Sequence, residues 1–221
     1  NHDFAPHAWE TPFTMAEAGE VTLRLEADPV ENAVALVDDL ELIAEDSFGA
    51  ASVRELVAEG SFEKYAGAAI SSPWESVAGA DGRVCEAYTA GQDSFDQQFG
   101  WAPYDGRVHV CIRGQASLEQ DVGGLSSGRY RFQMAVHSRN SGAAYGNNPY
   151  RVFLRNKATG EEVSIGEGRV SSFLPECRRY EFDVREAASY RLVISGLGNA
   201  YDPDPTQTGN RCSVVDAVSL K

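Results

Sequence analysis

The chain has 221 residues, with 33 Asp and Glu against 19 Lys and Arg, a formal charge of −14 and four cysteines. That length means one domain, or one and part of another, and it can bury a core without leaning on disulfides or metal. The charge argues against nucleic acid, whose phosphates need clustered Lys and Arg, and against membrane insertion, since no apolar run approaches the ~20 residues that cross a bilayer.

The chain opens Asn1-His2-Asp3-Phe4, with no initiator Met and no charged-then-apolar leader, and reads as a processed chain or as a fragment of something longer. From there the apolar period is two, broken by Gly, Pro or Asx clusters, which is the pattern of an all-β sandwich or barrel. In chain order, strands are expected at Arg107–Arg113, Ser117–Val122, Tyr130–His137, Tyr150–Leu154, Tyr180–Val184, Tyr190–Ile194 and Cys212–Leu220. In Tyr130-Arg131-Phe132-Gln133-Met134-Ala135-Val136 the apolar side chains alternate, so one face is buried and the other wet. Ser52–Glu59 is the only helix candidate, and its Val53, Leu56 and Val57 serve a first strand better. The segment Phe13–Leu25 aligns with Phe182–Ile194, and Val37-Asp38-Asp39-Leu40-Glu41-Leu42 with Val215-Asp216-Ala217-Val218-Ser219-Leu220. This internal echo divides the chain into the C-terminal strands of a first module (1–46), a linker (47–54) and one complete module (55–221). The first segment has apolar faces that need a cover, and chain lying upstream of Asn1 is the expected one; packing of these strands on the complete module is another option, and strand exchange with a neighbouring subunit is the runner-up.

Leu56-Val57-Ala58-Glu59-Gly60-Ser61-Phe62-Glu63, followed by Trp74, resembles the opening "NGSFE" strand of galactose-binding-domain-like jelly rolls, with Glu59 in place of the usual Asn. Asp105-Gly106, Ala116–Val122 with Gln120, and Leu125-Ser126-Ser127-Gly128-Arg129-Tyr130 resemble the centre of that family. The closing Val-Asp-Asp-Leu and Val-Asp-Ala-Val resemble its last strand. The likeness covers about residues 55–221, and 1–45 in part. It implies an antiparallel β-sandwich of about eight to ten strands, non-catalytic, attached to secreted or surface proteins and often binding carbohydrate. It also implies a structural Ca²⁺ between the first and last strands, here through Glu63 and Asp216, residues of the hard-oxygen type that Ca²⁺ takes.

A sugar offers apolar C–H faces ringed by hydroxyls, so it calls for an aromatic platform with carboxylate, amide or guanidinium partners. Counting strand parity from Val108 puts the loops Arg139–Asn148, Val170–Glu176 and Gly198–Asn210 at one end of the sandwich. That end carries Arg139, Tyr145, Asn147, Asn148, Tyr201, Asp202 and Asp204, the expected glycan site. Trp101 and Tyr104 form a rival platform at the opposite end, and Trp74 is assigned to the core. The cysteines, spaced 26, 66 and 35 apart without a C-x-x-C, exclude zinc and thioredoxin-type chemistry and point to an oxidising, extracellular compartment. Parity gathers Cys85, Cys111, Cys177 and Cys212 near one end; of three connectivities, Cys85–Cys111 with Cys177–Cys212 is the expected one. Gly124-Leu125-Ser126-Ser127-Gly128 matches G-x-S-x-G, but with a strand following it reads as a hairpin turn rather than a nucleophile elbow. His109 and His137 read as half-buried strand residues.

The functional expectation is a non-catalytic extracellular module that recognises glycan through end loops. The alternative is a structural or assembly module of a surface layer, filament or adhesin, with neighbouring modules as its partners and no sugar. An accessory domain of a polysaccharide-degrading enzyme is a third possibility.

Overall fold

The computed structural model describes residues 55–90, 103–138, 148–170, 175–198 and 212–221; the first segment and the linker lie outside these. Among these described residues ten strands form: β1 (Trp74–Val77), β2 (Glu86–Thr89), β3 (Val108–Arg113), β4 (Ser117–Leu125), β5 (Gly128–Ser138), β6 (Asn148–Asn156), β7 (Glu162–Val170), β8 (Glu176–Val184), β9 (Ala188–Gly196) and β10 (Cys212–Leu220). Sheet I has the order β1-β4-β9-β6-β7 and sheet II the order β2-β3-β10-β5-β8. Every pairing is antiparallel, as a period-two pattern with one wet face requires.

The alternation of β5 works as expected. Phe132, Met134 and Val136 are fully buried between the sheets, together with Val108, Val110 and Ile112 of β3 and Leu118, Val152, Leu154, Leu192 and Ile194 of sheet I. Each such side chain contributes roughly 1.5–3 kcal/mol by leaving water. Trp74 is core, 1% exposed, with its indole N–H donating to the Glu59 carbonyl at 3.1 Å.

Two local readings change. Residues 55–59 form neither strand nor helix. Leu56 N–H makes a single bond to the Leu220 carbonyl, Glu59 is left-handed at φ 54, and Gly60 then passes so close to β10 that an added Cβ would sit 1.9 Å from the Val218 carbonyl oxygen. Ser126-Ser127 is a turn, but not of a hairpin: β4 pairs with β1 and β9, β5 with β10 and β8, so this connection crosses from sheet I to sheet II.

The strand directions define two ends. At the upper end β5 finishes at Ser138, β7 at Val170 and β9 at Gly196, while β6, β8 and β10 begin at Asn148, Glu176 and Cys212. The chain enters at the lower end, where Glu55 accepts from the Leu220 N–H (2.9 Å) and the Ser219 hydroxyl (2.5 Å), and it finishes at Lys221 beside Arg131.

Candidate functional site

The upper end is where the parity argument expects the ligand, and the strand ends Ser138, Asn148, Val170, Glu176, Gly196 and Cys212 do converge there. Gly196 locks the two sheets together at this end: an added Cβ would lie 2.2 Å from the Gly114 carbonyl oxygen of the β3–β4 turn. Asn148 opens β6 opposite Val170. Arg139, Tyr145, Asn147, Tyr201, Asp202 and Asp204 lie outside the described residues, as does Trp101. Tyr104, from the rival platform, is half-buried at the lower end.

A polar–aromatic row on the outer face of sheet II runs up to this end. Glu86 lies opposite Cys111 and Tyr88 opposite His109, while Val214 lies between Cys111 and His137. The Glu86 carboxylate accepts from the Tyr88 hydroxyl at 2.6 Å and faces the Arg113 guanidinium at 2.7 Å, which also donates to the Tyr88 hydroxyl and lies 5.9 Å from that ring's centroid. Tyr88 then neighbours His109 (6.3 Å between centroids), and His109 meets His137 edge-on at 5.5 Å. The row thus joins a half-buried aromatic ring to a guanidinium and a carboxylate, 24% and 41% exposed. Sequence reasoning missed Tyr88, Glu86 and Arg113 as a group. The alternation Glu86-Ala87-Tyr88-Thr89 was the available signal, but only the pairing of β2 with β3 brings Arg113 to it. His109 and His137 are more buried than expected, at 2% each; burial pulls the His137 imidazole down to about 4, so it is neutral near pH 7.

The disulfide is Cys111–Cys212, with Cα atoms 5.7 Å apart, and the expected pairs do not form. Glu86, not Cys85, faces Cys111, so Cys85 points to the opposite face, into the core. There its N–H donates to the Ser76 hydroxyl at 2.8 Å, and burial pushes the thiol up to about 12. Cys177 sits opposite Ala135 on the edge strand, with β5 between it and β10. Two strand spacings, about 10 Å, exceed the reach of a bridge.

Glu63 and Asp216 converge on one turn. Glu63 Oε1 accepts from Arg107 N–H (2.6 Å) and Val108 N–H (2.8 Å), and its carboxylate fills the space a Cβ on Gly106 would take. Asp216 Oδ2 accepts from Asp105 N–H at 2.9 Å and Oδ1 from Ala217 N–H at 2.7 Å. Asp216 is 1% exposed, and burial pushes its carboxyl up to about 7. Among the described residues no three His, Cys, Asp or Glu side chains group closely enough to hold a metal by themselves.

The outer face of sheet I differs in kind. Arg191 bridges Glu75, Glu119 and Asp121, Lys157 takes Asp121, and Arg151 and Arg155 cover Phe153 at 4.2 and 5.3 Å. A groove of about 540 Å³ runs beside this network, lined by Ser72, Trp74, Glu75, Glu119, Asp121 and Arg191.

No protein-family model and no curated protein matches this sequence. Solved structures do match. The module TmCBM61, solved with β-1,4-galactotriose, aligns at a TM-score of 0.51 and 16% identity, over 76% of this chain and 98% of that one. The N-terminal CBM22 tandem of Paenibacillus barcinonensis Xyn10C aligns at a TM-score of 0.51 and 11% identity, over 78% of this chain and 46% of that one. The likeness is one of fold: the antiparallel β-sandwich that these carbohydrate-binding modules share.

Proposed function

We propose that this sandwich, which shares its fold with carbohydrate-binding modules, is a non-catalytic glycan-binding module of a larger secreted or surface protein. The observation that carries the reading is the Glu86–Tyr88–Arg113 group on the outer face of sheet II, leading to the end where the β5–β6, β7–β8 and β9–β10 connections emerge. The Tyr88 ring supplies an apolar face for sugar C–H groups, and the flanking guanidinium and carboxylate supply a donor and an acceptor for hydroxyls. Because Arg113, Tyr88 and Glu86 already hold one another, little side-chain entropy is lost when a ligand docks. Asn148, which opens β6, and Arg139, Tyr145, Asn147, Tyr201, Asp202 and Asp204 of the connections at the same end would complete the site. The carbohydrate ligand of TmCBM61 supports the substrate class, and the Cys111–Cys212 bridge supports an extracellular setting.

Within the same reading Glu63 and Asp216 hold a structural Ca²⁺. The fit rests on the buried Asp216 carboxylate, whose donors include the backbone N–H groups of Asp105 and Ala217, so that a cation beside it would offset the cost of burying its charge. The ion would supply a positive charge at the turn over residues 104–108, fixing that turn to the last strand.

Affinity electrophoresis in β-1,4-galactan and in xylan tests the site. Tyr88→Ala and the double variant Tyr145→Ala/Tyr201→Ala should each lose retardation while melting close to the parent. Retention of binding in both, with its loss in Trp101→Ala, would move the site to the lower end.

A further inference from the structure

The Glu86–Tyr88–Arg113 group is closed on one side and open on the other. Arg113 Nη2, Glu86 Oε2 and the Tyr88 hydroxyl meet one another. Glu86 Oε1 and Arg113 Nη1 take no part in that triangle. Among the described residues Glu86 is the one acid paired with Arg113, and Arg113 the one base paired with Glu86; the buried Arg113 Nε has no hydrogen-bond partner. This one-to-one match sets the group apart from sheet I, where Arg191 alone faces Glu75, Glu119 and Asp121. The surroundings keep the same balance. The turn before β2 brings Asp81 and Arg83, one charge of each sign, against Gly114, the neighbour of Arg113. In sequence, the connections 139–147, 171–175 and 197–211 carry Arg139 and Arg211 against Asp202 and Asp204.

A neutral sugar suits such a pair. Its hydroxyls both donate and accept, so one accepts from Arg113 Nη1 while its neighbour donates to Glu86 Oε1, with the C–H face of the sugar on the Tyr88 ring. A sugar bearing a carboxylate does not suit it. That carboxylate would have to share one guanidinium with Glu86, and two like charges held at one cation repel across a surface whose effective dielectric lies below that of water. Tyr88 gives no relief, because its hydroxyl proton is already donated to Glu86. The net charge of −14 acts in the same direction on a polyanion at longer range.

We propose that Glu86 is the specificity-determining residue of this site, admitting neutral glycans and rejecting those that carry uronic acid. The inference rests on the glycan reading given above and adds the class of sugar that the site refuses. Removing the charge at position 86 leaves Arg113 without its acid, and a ligand carboxylate then takes the place of the Glu86 carboxylate in a charge-assisted pair.

Matched polymers read this directly: β-1,4-galactan beside the same polymer oxidised to the carboxylate at C6, and xylan beside glucuronoxylan. In affinity electrophoresis the parent should bind at least one neutral polymer, and its acidic counterpart at least tenfold more weakly. In Glu86→Gln the ratio of acidic to neutral affinity should rise at least tenfold, and the gain should vanish in 1 M NaCl, where the screening length is about 3 Å. Glu86→Asp, which keeps the charge, should still reject the acidic polymer, a result that a merely structural role for Glu86 does not give. Thermal melts establish that each variant is folded, and the parent's own ratio tests the proposal where one is not. A parent that binds neutral and acidic polymers alike, or a folded Glu86→Gln with the parent's ratio, would overturn the proposal and leave the glycan site standing. No retardation of parent or Glu86→Gln by any of the four polymers would overturn the glycan reading and this inference with it.

Discussion

Removing the Cys111–Cys212 bridge should lower stability without unfolding the sandwich. The bridge closes a sequence separation of 101 residues, and a loop of that size gains ~4.7 kcal/mol from restriction of the unfolded chain; native bridges typically deliver 2–5. At roughly 2–4 °C per kcal/mol for a chain of this size, Cys111→Ser/Cys212→Ser should melt about 10 °C below the parent. The fold should survive because β10 is hydrogen-bonded on both sides, to β3 and to β5. Differential scanning calorimetry of parent and variant gives the shift. Non-reducing peptide mapping should recover Cys111 joined to Cys212, with Cys85 alkylated only after denaturation. A shift below about 3 °C, or Cys85 found in a bridge, would refute the reasoning.

Chelation with EDTA should lower the melting temperature while the fold persists at 25 °C, since a native-state ligand at a hundredfold excess over Kd contributes ~2.7 kcal/mol; Glu63→Ala should abolish the difference, and identical melts with and without EDTA would remove Ca²⁺ from the account. Gly60→Ala should cost about 2–3 kcal/mol in urea unfolding, because its Cβ meets the Val218 carbonyl, a backbone atom that cannot turn aside; a neutral result would mean that the first described residues do not pack on β10 as placed. His137 is held at about 4 by burial against an unfolded value near 6.5, so the unfolded chain takes up its proton first as pH falls. Its contribution is therefore complete above pH ~6.5 and lost toward pH ~4. The stability difference between parent and His137→Gln should accordingly shrink by about 3 kcal/mol across that window. A difference independent of pH would show the imidazole to be solvated.

Much of the sandwich is legible in the sequence because period two and turn residues act locally. Cys212–Leu220 is found with its observed bounds, and the six other strands expected from Arg107 onward lie within one to four residues of theirs, whereas the first strand expected over Ser52–Glu59 does not form over its described residues, 55–59. What escapes depends on tertiary contact. β7 is disguised by Gly166 and Gly168, whose missing side chains make room for the Tyr180 ring and the Tyr150 hydroxyl. The cysteine pairing turns on a single residue of register, which puts Cys85 on the core face and Cys111 on the outer one. Likewise the Ser126-Ser127 turn changes sheets, a fact of global topology that G-x-S-x-G spacing does not encode. At the candidate site, β2 is only four residues long; its Tyr88 becomes meaningful only once β3 delivers Arg113 beside it.

Isothermal titration of the intact chain with soluble β-1,4-galactan, xylan and their oligosaccharides tests the central claim most directly. The account predicts saturable binding to at least one of them, weakened at least tenfold (about 1.4 kcal/mol) by Tyr88→Ala at unchanged fold. No heat with any glycan, alongside a cooperative melt proving the chain folded, would contradict it and leave the structural reading in its place.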